Sequence, residues 1–64
     1  MISQYDIDML CARMAYVPQH IWIHLVIEFM KKYKYVKTYH HTIEHGVLYL
    51  TINGFTSSRD IIAT

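Results

Sequence analysis

The sequence predicts an α+β fold: one small domain over residues 1–64, with two helices followed by an antiparallel β-hairpin. A short strand or helix is left open at the C-terminal end. Two observations carry this reading. Apolar residues recur at helical spacing from Gln4 to Tyr33, with a break at Pro18. From Lys34 onward the period becomes two, on either side of His45-Gly46.

The first helix is expected from Gln4 to about Ala15. Ser3 followed by Asp6 has the spacing of a capping box, with Asp in place of Glu, and Asp6 and Asp8 lie near the positive end of the helix dipole. Ile7, Leu10, Cys11 and Met14 form its main apolar side, while Tyr5, Met9, Ala12 and Tyr16 form a second strip nearly opposite. A helix with two apolar sides needs cover on both.

Pro18 disfavours helix at the residue before it and suits the first turn of the next, so Tyr16-Val17-Pro18 predicts a tight αα-corner. The second helix is expected to run from Pro18 to Lys32 or Tyr33. His20, His24, Glu28 and Lys31 fall into one narrow polar stripe. Trp22, Ile23, Leu25, Val26, Ile27, Phe29, Met30 and Tyr33 spread over about half the circumference. In 64 residues few other elements can cover that arc, which points to a second copy or another protein. Trp22, Val26, Phe29 and Met30 are therefore expected in the core or in a dimer interface.

In the hairpin, His45-Gly46 as a two-residue turn pairs Ile43 with Leu48, His41 with Leu50 and Tyr39 with Ile52, gathering the apolar residues on one face. A three-residue turn from Glu44 to Gly46 mixes the faces. Asn53-Gly54 is a second turn signal. After it, Phe55 and Thr56 can open a third strand, or Ser57 with Asp60 can cap a last helical turn carrying Ile61 and Ile62. The helical turn or an extended tail is preferred. The chain has no internal repeat and no low-complexity tract.

Composition narrows the function classes. Hydrophobic residues make up 53% and charged residues 17%, which excludes a disordered chain and leaves a surface short of charge. The apolar run Leu25 to Ile27 is far too short to span a membrane, and no secretory pattern opens the chain, so a cytoplasmic location is expected. The lone Cys11 lies in an apolar pattern and is expected as a buried core residue.

Chemistry-bearing patterns are sparse. His20 and His24 stand one turn apart, but the intervening Ile21-Trp22-Ile23 lacks the glutamate of a zinc-protease helix, and a cysteine pair is missing. No metal or cofactor is expected. Ser57 and Ser58 lack a nucleophile elbow, Gly46 and Gly54 belong to no phosphate loop, and Asp6, Asp8, Glu28, Glu44 and Asp60 are scattered. An enzyme is not expected.

The net charge is only +1, yet Lys31, Lys32, Lys34 and Lys37 are interleaved with Tyr33, Tyr35 and Tyr39. Such a run suits an acidic protein face or a phosphate backbone. Lys31, Lys34, Tyr35, Lys37, Tyr39 and Tyr49 are the expected partner-binding residues, being of the types that anchor interfaces, with the tyrosines as the aromatic anchors.

Leu10 to Ile21 resembles a helix-turn-helix, with Cys11, Ala15, Tyr16 and Ile21 at its small, glycine, apolar and core positions. The resemblance implies a small winged-helix-like DNA-binding regulator, the hairpin serving as the wing. Against it, the second helix offers base edges only Gln19, His20, His24 and Glu28, and contains no arginine. The expected function is instead a non-enzymatic interaction module acting as a homodimer. By analogy with short tyrosine-rich chains of viruses and mobile elements, it is expected to inhibit a host factor by occluding it.

Overall fold

Capping decides where the first helix begins. In the computed structural model, which describes residues 1–62, α1 runs Gln4–Tyr16. The Asp6 carboxylate accepts the Ser3 N–H at 2.9 Å and the Ser3 hydroxyl accepts the Asp6 N–H at 3.4 Å, completing the capping box. Ile7, Leu10, Cys11, Met14 and Ala15 are buried on one side.

The corner at Pro18 is tighter than a simple helix start. One turn of 3₁₀ helix, Gln19–Ile21, precedes α2, Trp22–Lys32, so the α-helix begins later than the expected Pro18. Trp22 closes this corner. Its Nε1 donates to the Met14 carbonyl at 2.6 Å and to that of Val17 at 3.3 Å, adding a donor to two acceptors at the end of α1. At the far end, the Tyr33 hydroxyl donates to Asp6 Oδ1 at 2.8 Å and its ring stacks on Phe29 at 4.5 Å. The helices are therefore antiparallel and pinned at both ends.

Three antiparallel strands follow: β1 (Tyr39–Glu44), β2 (Val47–Ile52) and β3 (Phe55–Asp60), in the order β1-β2-β3. The β1–β2 register is the one the two-residue turn implies, with Ile43 opposite Leu48, His41 opposite Leu50 and Tyr39 opposite Ile52. His45 and Gly46 both take positive φ, 52° and 77°, as this turn requires.

The C-terminal segment corrects the preferred reading. Phe55–Asp60 is a strand, not a helical turn or a tail. Asn53 (φ 50°) and Gly54 (φ 85°) form a second tight turn that sends the chain back along β2. Ser57, read as a possible helix cap, lies buried opposite Leu50. After β3, Ile61 N–H donates to the Gly46 carbonyl at 2.9 Å and Ile62 N–H to the Ala15 carbonyl at 3.0 Å, tying these two residues to the hairpin and to α1. Residues 63–64 of the expected domain lie outside the described residues.

The inner sheet face carries Leu48, Leu50 and Ile52, almost fully buried, against Ile7, Leu10, Cys11 and Met14 of α1 and Trp22, Val26 and Phe29 of α2. α1 lies over β2 and β3, while α2 sits to one side against α1. The expected gathering of Tyr39, His41 and Ile43 on the core face is therefore incomplete. They point to that face and Tyr39 packs against the core, but His41 and Ile43 remain exposed, α2 reaching β1 only across a shallow groove.

Candidate functional site

The connection from Tyr33 to Thr38 carries much of the basic, tyrosine-rich run, and one side chain shapes it. Asn53 Oδ1 accepts the N–H groups of Lys37 (2.7 Å) and Thr38 (3.1 Å), and its Nδ2 donates to the Tyr35 carbonyl at 2.9 Å. The Asn53 N–H donates to Thr38 Oγ1 at 3.0 Å. A turn residue thus clamps a loop that reaches it from far along the chain. Lys34, Tyr35 and Lys37 are displayed outward by this clamp, and Lys32, Tyr33, Lys34 and Tyr35 line a groove of about 680 Å³ floored by Ile2 and Phe55.

The other expected binding residues lie elsewhere. Lys31 projects from the polar stripe of α2. Tyr39 is half-buried on the inner sheet face, its hydroxyl 2.8 Å from His41 Nδ1, and burial raises its phenol pKa above the ordinary value. Tyr49 sits on the opposite sheet face with Val47 and Thr51, since strand residues alternate. The six residues are therefore spread over separate surfaces rather than gathered into one.

A second surface is apolar. On α2, Trp22, Val26 and Phe29 are buried, whereas Ile23, Ile27 and Met30 are 62%, 44% and 40% exposed. The i, i+4, i+7 spacing aligns these three as one stripe between the core side and the polar stripe. Of the four residues assigned to core or dimer interface, three are core and Met30 is on the surface. Beside the stripe, Gln19, Trp22, Ile23 and Val26 face Tyr39 and His41 across a shallow groove of about 290 Å³, with the Trp22 and His41 rings edge-on at 5.7 Å. The second strip on α1 is also open: Tyr5, Met9 and Tyr16 are exposed.

The ionisable groups serve the fold. The Asp6 carboxyl is held below its ordinary pKa, first by the Tyr33 hydroxyl and then by the Ser3 N–H. Asp8 is lowered by the Ser57 hydroxyl and by Gln4. Burial pushes the Cys11 thiol up, away from the nucleophilic thiolate. Among the described residues, no group of three or more His, Cys, Asp or Glu is placed to hold a metal ion. Nor is any described helix long and apolar enough to cross a membrane.

Asn53 as a loop clamp and Trp22 as a cap for α1 were not evident from sequence. Their only sequence signals were a turn dipeptide and an aromatic residue following a proline corner. The chain matches no protein-family model, no curated protein sequence and no solved structure.

Proposed function

We propose that the protein is a non-enzymatic interaction module that acts as a homodimer and occupies the surface of a protein partner. The observation that carries this reading is the stripe of Ile23, Ile27 and Met30, left exposed among the described residues, with Ile23 lining the shallow groove over Tyr39 and His41 of β1. The second surface, built from Lys34, Tyr35 and Lys37 on the Asn53 clamp, suits an acidic partner face. An inhibitory role against a host factor, of the kind viral and mobile-element proteins play, is supported by the shortage of surface charge and by the tyrosine-rich run.

The DNA-binding alternative draws less support, because the outward polar stripe of α2, His20, His24, Glu28 and Lys31, holds no arginine for base edges and is flanked by the exposed apolar Ile23, Ile27 and Met30.

Light scattering over a wide concentration range tests the reading. The expected mass is twice the 7.6 kDa of one chain, falling to one chain for Ile27→Lys with the far-ultraviolet spectrum retained. A single-chain mass throughout would refute the homodimer. Salt-sensitive binding to arbitrary duplex DNA would favour the regulator instead.

A further inference from the structure

The two edges of the sheet are treated differently. On β3, the Gln4 side chain donates to the Thr56 carbonyl at 2.9 Å, and Arg59 and Asp60 place charges at the strand end. Those are the devices that keep an edge from pairing with another strand. β1 carries only one of them, the charge of Glu44 at its end. Its six residues, Tyr-His-His-Thr-Ile-Glu, include no lysine and no proline, and its register with β2 runs unbroken, without a bulge.

The backbone groups open on that edge follow from the ladder. The Asn53 N–H donates to the Thr38 carbonyl at 3.2 Å, which makes residues 38 and 53 a bonded pair. Bonded and non-bonded pairs alternate in an antiparallel ladder, so His40, Thr42 and Glu44 direct their N–H and C=O groups to β2. Those of Tyr39, His41 and Ile43 then face outward.

We infer that the occupant of this edge is the β1 strand of a second copy, antiparallel, with the two-fold axis at Thr42. In that register His41 exchanges backbone hydrogen bonds with the partner's Ile43, and Ile43 with the partner's His41. Thr42 faces its own symmetry mate as a non-bonded pair. On the outer sheet face each His40 stands opposite the partner's Glu44, imidazole against carboxylate, twice per dimer. The sequence of β1 is thus complementary to itself when reversed. Ile23, which lines the groove over Tyr39 and His41, brings the near end of the exposed α2 stripe toward the same junction and adds apolar area that a six-residue strand pair lacks. The inference rests on the homodimer reading and specifies its interface.

Thr42→Cys tests the register directly. Cross-strand Cα atoms of a non-bonded pair lie about 4.5 Å apart, within disulfide range, so mild oxidation is expected to give a covalent dimer. Ser58→Cys, exposed on the other edge strand, is expected to give none, and wild-type Cys11 is buried. In parallel, His40→Glu places carboxylates opposite each other and is expected to weaken the dimer at least tenfold. Adding Glu44→Lys to it reverses the pair and restores association. If the protein is dimeric but Thr42→Cys does not cross-link and the charge changes leave the dissociation constant unmoved, the β1 interface is wrong while self-association stands. If the wild type is a single chain at every concentration, both fall.

Discussion

Trp22 offers the sharpest separation of core from interface. The indole is 4% exposed and its Nε1 donates to two carbonyls at the end of α1, so it contributes both apolar burial and a cap. Truncation to alanine removes both. A buried tryptophan replaced by alanine costs about 3–5 kcal/mol. A core in a chain of this size supplies roughly the same in total, so Trp22→Ala is expected to be largely unfolded at 25 °C. Trp22→Phe keeps most of the apolar body and deletes the donor. Leaving the Val17 carbonyl without this partner, and that of Met14 with only the Val17 N–H at 3.4 Å, costs about 1–3 kcal/mol. At about 4–8 °C per kcal/mol for a small domain, the melting temperature should fall by roughly 5–20 °C. Thermal melts followed by circular dichroism, run at one protein concentration so that mass action on the dimer is held constant, read both variants. Should Trp22→Ala melt like wild type and lose only association, the indole is interface and the division of α2 drawn above is reversed.

Asn53 can be split in the same way into turn and clamp. Asn53→Gly keeps the positive φ but loses the side-chain bonds to Lys37, Thr38 and Tyr35. It should cost about 1–3 kcal/mol by chemical denaturation, and an unchanged midpoint would show that the clamp contributes nothing. The lowered Asp6 pKa means that its contribution is fully present above the ordinary carboxylate range and is lost as pH falls through the depressed folded value. Tyr33→Phe, which removes the main cause, should flatten the acid limb of a melting-temperature profile, and an unaltered limb would refute the link. Cys11 should react with a thiol reagent only at the rate of unfolding, and fast labelling of the native protein would place it outside the core. Lys34→Glu and Tyr35→Ala, both exposed, should change stability by only about 0.5 kcal/mol while abolishing partner binding. A large loss of stability would move these residues from surface to scaffold.

What could be read from the sequence divides by how local its cause is. The capping box at Ser3 and Asp6, the corner at Pro18 and the β1–β2 register each follow from residues within a few positions of one another, and each appears in the structure as expected. The third strand depends on something farther away. Ser57 and Arg59 occupy inward register positions where an alternating pattern would show apolar side chains, so no period of two is visible after Phe55. That strand exists because the Asn53-Gly54 turn aims it along β2 and because α1 lies over it, Asp8 and Cys11 being near enough to feel Ser57 and Arg59. The candidate surface has the same character. The apolar excess of α2 was plain in the sequence, but which residues form it depended on how much of the sheet the helices would reach. With β3 present, α1 lies over β2 and β3, and α2 packs beside it, sending Trp22, Val26 and Phe29 into the core and Ile23 to the groove over Tyr39 and His41. The added strand therefore widens the core under α1 without covering Ile23, Ile27 and Met30, and it leaves β1 at an edge. The apolar stripe thus follows from the place of α2 beside α1, and the open strand edge from the order β1-β2-β3. Ile23 is the point where the two meet, beside Tyr39 and His41, and it is there that the proposed interface would take in both.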